Sequence, residues 1–323
     1  MSIRGLAAAI GLLAAMLVSG GGYAQEYPSK TVRMIVPFPP GGGTDLIARI
    51  TGAKLSQIFG QQFVVDNRPG AGTVVGSELA ARAPADGYTL IIQVNSLAAN
   101  HTLYPKLPYD TLKDFTPIVL VGNTPNVLVI HPSMPVKSAA DFVALAHRKP
   151  NEIAYASSGY GGASYLATEY FKMLTGAQML HVPYKGTAPA LSAILTGEAQ
   201  ASIAAAPGTI SFIRSGKLRA LGVTGAKRWQ VFPELPTLME AGIKNFEFET
   251  WYGVFAPGGT PADVIAKLNT TVNKMLKMAD VKDQLQKSGF EPTGGTQESF
   301  VSYFRDEIDK LGKVIRTTGA KPE

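Results

Sequence analysis

Short apolar runs alternate with helically spaced apolar positions along this chain. The run Val32-Arg33-Met34-Ile35-Val36 predicts a buried strand, and Leu46-Ile47-Ala48-Arg49-Ile50 soon opens a helical pattern. The same reading predicts strands over 32–36, 63–66, 89–94, 118–121, 127–130, 153–156, 179–182, 201–205, 220–223 and 250–255. It predicts helices over 45–59, 73–83, 139–148, 163–174, 188–195, 261–278 and 297–317. Gly60, Gly176 and Gly197 stand just past helical segments, where left-handed caps belong. Strands alternating with helices, without repeats, low-complexity tracts or long linkers, argue for an α/β fold.

Two stretches break the rhythm. Residues 115–130 hold two apolar runs split by Gly122-Asn123-Thr124-Pro125, and 245–255 is a long β-rich run carrying Phe246, Phe248, Trp251 and Tyr252. They read as crossovers between two α/β lobes, one formed by 25–124 with 250–323 and the other by 125–249. The hinges then fall near 122–126 and 246–252, with a central ligand cleft between the lobes. The aromatic cluster at 246–252 reads more readily as core than as a ligand platform.

Two glycine-rich turns carry the candidate chemistry. Pro37-Phe38-Pro39-Pro40-Gly41-Gly42-Gly43-Thr44-Asp45 joins a strand to a helix start. Backbone N–H groups and the helix dipole make such a junction an anion site, although tight turns in α/β folds use glycine anyway. The turn is neither a Walker A loop, since no Lys follows the glycines, nor a dinucleotide fingerprint, since the third glycine is missing. A carboxylate or small oxyanion fits better than a nucleotide. Ser157-Ser158-Gly159-Tyr160-Gly161-Gly162-Ala163-Ser164 repeats the arrangement in mid-chain. Ser158 and Ser164 offer neutral donors, and Ser164 serves equally as a helix cap. One anion-ready turn per lobe suits one carboxylate gripped from both sides, or a ligand with two negative ends.

Composition narrows the setting. Residues 1–24 read as a secretory signal: Arg4 is the positive region, 6–18 the apolar core, and Gly22-Tyr23-Ala24 a small-residue cleavage site after Ala24. The apolar core is short for a membrane span, the alternative reading. The chain has no cysteine, which excludes disulfides and lipoprotein attachment and suits a periplasmic protein stabilised by its core. Its 323 residues accommodate two domains. The net charge of +6 is scattered, without basic runs, so no nucleic-acid partner is expected.

Enzymatic readings find little footing. No Gly-x-Ser-x-Gly elbow surrounds Ser157, Ser158 or Ser164, and the four histidines, His101, His131, His147 and His181, show no metal-ligand spacing. Neither a catalytic residue, a metal nor a cofactor is expected. Arg49 reads as solvated or in a structural ion pair, and Arg68 as a loop organiser.

Several further motifs follow in order: Tyr27-Pro28 ahead of 32–45, Asp66-Asn67-Arg68-Pro69-Gly70-Ala71-Gly72, Ala81-Arg82-Ala83-Pro84-Ala85-Asp86-Gly87-Tyr88-Thr89-Leu90 and Val182-Pro183-Tyr184-Lys185-Gly186. Gly216-Lys217-Leu218-Arg219-Ala220-Leu221, Phe232-Pro233-Glu234-Leu235-Pro236-Thr237 and Phe255-Ala256-Pro257-Gly258-Gly259-Thr260-Pro261 complete the set. Together they resemble the Bug-type (TctC) solute-binding proteins of tripartite tricarboxylate transporters across nearly the whole mature chain. The resemblance implies a monomeric, periplasmic, two-lobe binding protein of type II-like fold that closes on its ligand. It would deliver a small organic carboxylate to the membrane permease subunits; a sensor-linked binding protein presenting its closed form to a signalling partner is the alternative. The loops matching Phe38–Asp45 and Ser158–Ser164 are then expected to grip a carboxylate, partly through ordered water. The resulting expected site comprises Phe38, Gly42, Gly43, Thr44, Asp45, Asn95 and Ser96 from one lobe. The other lobe contributes Ser158, Gly159, Tyr160, Gly162, Ala163, Ser164 and Pro207. Asp45 is expected to cap its own helix or hold a bridging water.

The chain departs from the family pattern at three places. Gly72-Thr73-Val74 stands where many members carry Gly-Gly-Asn, Tyr165 where many carry His, and 204–208 is apolar where relatives often place Asp or Asn. A less polar distal wall suits an aliphatic or aromatic dicarboxylate better than citrate. The resemblance places ligand discrimination near Tyr160, Tyr165 and 205–209.

Overall fold

The structure is a computed structural model that describes residues 26–322. The expected signal at 1–24 lies outside the described residues. In chain order the elements are β1 Val32–Val36, α1 Gly43–Phe59, β2 Phe63–Asn67, α2 Val74–Ala81, β3 Thr89–Gln93, α3 Asn95–Leu103 and β4 Phe115–Ile130. The middle of the chain forms α4 Ala139–Arg148, β5 Ala154–Ser157, α5 Ala163–Thr175, β6 Leu180–Pro183, α6 Thr187–Leu195, β7 Ala201–Ala205, α7 Ile210–Arg214 and β8 Arg219–Val223. The chain ends with β9 Glu249–Pro257, α8 Ala262–Leu276, α9 Ala279–Lys287, β10 Glu291–Pro292 and α10 Gln297–Thr318.

Two sheets share one strand. Parallel β2, β1 and β3 continue through antiparallel β9 to the first half of β4. The second half of β4 pairs with β7 and β8, and β7 continues through parallel β5 to β6. The first sheet draws its strands from the two ends of the chain and the second from the middle.

The sequence suggested two short strands split by a turn at 122–125. Instead β4 runs unbroken for 16 residues, because β9 accompanies it through the crossing. Gly122 faces Tyr252, Asn123 faces Trp251, Thr124 faces Thr250 and Pro125 faces Glu249, with bulges absorbing the irregularities. Gly122 is needed for space: a Cβ there would lie 2.6 Å from the Glu291 carbonyl oxygen of β10.

Both faces of the sheets are covered, so the strands read as continuous apolar runs. Val32, Met34 and Val36 pack with Ile47, Leu55, Ile265 and Leu268 under α1 and α8. Ile35 and Ile91 point the other way, into a core shared with Phe300, Phe304 and Leu311 of α10. That core continues through Trp251 and Phe246 to Phe142, Leu166 and Phe171 of the middle lobe. Phe246, Phe248 and Trp251 lie in this core, as the sequence suggested, whereas Tyr252 packs in the other core and borders the cleft.

Helices α3, α7 and α9 were not anticipated, while the helix expected over 261–278 is α8, Ala262–Leu276. No helix among the described residues is long and apolar enough to cross a membrane.

Candidate functional site

Three helices begin at the cleft between the lobes, and each has glycine at its N-cap: Gly42 for α1, Gly162 for α5 and Gly186 for α6. None receives a side-chain cap hydrogen bond. By contrast, α4 and α10 are capped by the hydroxyls of Ser138 and Thr296. The first N–H groups of a helix have no intrahelical acceptor, so these three starts leave donors for something else. Gly42, Gly43 and Thr44, then Ala163 and Ser164, then Gly186, Thr187 and Ala188 line a cavity of about 520 Å³, the part open to solvent included. Phe38, Pro39, Pro40, Val94, Pro189 and Ala205 supply apolar wall, while Ser158, Thr250 and Tyr252 complete the lining.

Among the described residues no charged side chain lines this cavity. Stabilisation of an anion would come from backbone N–H groups, helix dipoles and hydroxyls. The nearest acid is buried and neutralised. Asp45 is 5 % exposed and accepts from the Gly41 N–H, both guanidinium N–H groups of Arg49, and the Asn67 amide at 2.9–3.0 Å. Burial pushes the Asp45 carboxyl up, but Arg49, Gly41 and Asn67 outweigh it and hold the group below its ordinary value. Asn67 also donates to the Phe38 carbonyl, so one network fixes the turn from 38 to 45. Asp45 therefore shapes the helix start from behind the cavity wall.

The second turn is braced by its own serines. Ser164 lies within α5 and accepts from the Ser158 N–H at 2.8 Å, while the two hydroxyls stand 2.9 Å apart. Beneath them, buried Ser157 pairs with His181 Nε2 at 2.6 Å and accepts from the Gly159 N–H. The His181 ring is sandwiched among Tyr155, Tyr160 and Tyr165 with centroids 4.7–4.8 Å away. This Ser–His pair is not part of the cavity lining; it anchors the loop.

The lobes touch along the rims. A Cβ on Gly186 would meet Pro39 Cδ at 3.0 Å, and one on Gly72 would meet the Tyr160 carbonyl oxygen at 2.8 Å.

Of the expected residues, Phe38, Gly42, Gly43, Thr44, Ser158, Ala163 and Ser164 line the cavity. The other expected residues lie outside its lining. Asn95 begins α3 and spends its amide on the crossover strand: Nδ2 donates to the Glu249 carbonyl and Glu307 Oε2, and Oδ1 accepts from the Trp251 N–H. Ser96 is buried behind Val94 with no partner for its hydroxyl. Gly159 and Gly162 shape the second turn, while Tyr160 meets His181 edge-on and Tyr165 lies tilted against it. Pro207 lies in the short 3₁₀ turn Ala206–Thr209, with its Cα 3.5 Å from the Cβ position of Gly289. Ala205, the last residue of β7, reaches the cavity just ahead of that turn.

The third helix start, at Gly186-Thr187-Ala188, was missed although Gly186 closes a family-like motif. The signal was glycine before Thr-Ala-Pro, since Pro is accepted in a helix's first turn.

The fold and cleft define a two-lobe α/β solute-binding protein. Residues 47–320 match the family described as tripartite tricarboxylate transporter family receptor, and the chain belongs to that family. It is 38% identical to protein BugT of Bordetella pertussis over 324 residues, covering 99% of each chain. An R. palustris protein solved with adipate superposes with a TM-score of 0.89 at 38% identity, over 92% of this chain and all of that one. MatC from Rhodopseudomonas palustris, with bound malate, gives 0.85 at 31% identity, over 90% of this chain and all of that one.

Proposed function

We propose that this chain is a periplasmic receptor that closes its two lobes on a small organic dicarboxylate, aliphatic or aromatic. It delivers that ligand, as a monomer, to the permease subunits of a tripartite tricarboxylate transporter. One observation carries the reading: three glycine-capped helix starts, from both lobes, converge on a cavity without a charged side chain. Such a site stabilises carboxylate oxygens through N–H donors, and its proline, phenylalanine and alanine walls favour an apolar spacer. Relatives solved with adipate and with malate support the ligand class. A signal cleaved after Ala24, export to the periplasm and lobes divided at 124/125 and 249/250 belong to the same proposal. A ligand contacting both lobes only when they meet would stabilise closure by that differential contact.

The test is a thermal-shift screen on protein refolded to strip carried-over ligand. Mono-, di- and tricarboxylates are compared with amines and sugars. Ligand at a hundred times its dissociation constant adds about 2.7 kcal/mol, which moves the midpoint by a few degrees. The expected response is largest for a dicarboxylate. Silence toward every carboxylate, with a response to amines or sugars, overturns the proposal.

A further inference from the structure

Tyr252 lies on β9 opposite Gly122, where the chain crosses between the lobes. It is 1 % exposed and meets Phe290 edge-on with centroids 5.2 Å apart. By packing alone it would be an ordinary core residue. Yet it lines the cavity, and its hydroxyl makes no hydrogen bond with any described residue. The hydroxyl is not among the fully enclosed polar atoms without a partner, so it opens onto the cavity, where its proton has no acceptor among the described residues.

Gly43 supplies the second half of the argument. Among the three consecutive glycines, Gly41 needs its left-handed φ of 87°, and Gly42 is an extended N-cap with open space around it. Gly43 is not left-handed; a Cβ there would stand 2.9 Å from Tyr252 Oη. The absence of a side chain lets the phenol oxygen approach the first turn of α1. The hydroxyl and the first N–H groups of α1 thus border the same end of the cavity.

We propose that Tyr252 donates its hydroxyl proton to a carboxylate oxygen of the ligand held at the start of α1. Gly43, Thr44 and Tyr252 then form one donor subsite that accepts a carboxylate and disfavours a carboxamide, whose NH₂ would face N–H donors. Burial raises the phenol's pKa and keeps its proton in place. The inference rests on the carboxylate reading of the cleft.

Calorimetric titration of the stripped protein with the dicarboxylate of largest thermal shift tests it. Tyr252→Phe keeps the ring and removes only the oxygen. Its dissociation constant is expected to rise roughly 10- to 100-fold, as for a lost hydrogen bond to a charged group. The ligand-free melting midpoint should stay level, since the lost hydroxyl opens onto the cavity and bonds to no described residue. Gly43→Ala should weaken binding in the wild type and cost less in the Tyr252→Phe background, where its collision partner is absent. Equal affinity of wild type and Tyr252→Phe overturns this inference and leaves the carboxylate reading standing. Failure of the wild type to bind any carboxylate overturns both.

Discussion

His181 shows how a single residue fixes a binding loop without lining the cleft. Ser157 Oγ accepts the Gly159 N–H and stands 2.6 Å from His181 Nε2, the donor in that second bond being set by the histidine tautomer. Burial lowers the His181 pKa to about 4, Glu169 opposes the shift, and Lys172 reinforces it. An unfolded histidine titrates near its ordinary 6.5, so the unfolded chain binds more protons between about pH 6.5 and 4. Stability from this residue is therefore intact above pH 6.5 and lost as pH falls through that window. Melting midpoints across the range should fall more steeply for the wild type than for His181→Gln. Parallel slopes would contradict a buried neutral histidine.

At the scale of elements, the crossover strands are clamped from one side. Glu307 of α10 accepts from Trp251 Nε1 at 3.1 Å and Asn95 Nδ2 at 3.3 Å, and pairs with Lys310 at 3.0 Å. Glu307→Ala leaves two buried N–H donors unsatisfied beside the hinge and should cost about 3 kcal/mol in denaturant unfolding. An unchanged midpoint would remove Glu307 from any role in holding β9. The elements also show which physics the sequence exposes. Strands covered on both faces and helices with one apolar stripe announce themselves, and so do the turns at 37–45 and 157–164. Helix α3 did not, because it is buried on most sides: Asn95, Ser96, Leu97, Ala98, Ala99, Asn100 and Leu103 leave no polar face to set a period. The unbroken β4 was hidden behind a Gly-Asn-Thr-Pro turn signal overridden by β9. Tyr252 was hidden because periodicity reads its ring as core and is blind to a hydroxyl facing the cleft. Asn95, expected at the ligand by resemblance, also bonds through its amide to Glu249, Trp251 and Glu307, contacts that no sequence pattern announces.

On the scale of the whole molecule, two lobes meet over a cavity whose anion-ready groups come from both. Gly42–Thr44 belong to the lobe of the chain ends; Ala163, Ser164 and Gly186–Ala188 belong to the middle lobe. Neither set encloses a ligand alone, so on the proposed function affinity and closure would be one event, and N–H donors without compensating cations would make that event depend on ligand charge. The most direct measurement is a calorimetric titration of the stripped protein with the dicarboxylate of largest thermal shift and, in parallel, with its dimethyl ester. The ester has nearly the same shape and spacer but no anionic oxygen. Saturable one-to-one binding of the acid with none of the ester is the expected result. Equal binding of acid and ester, or no binding of any dicarboxylate, would contradict recognition by three convergent helix starts.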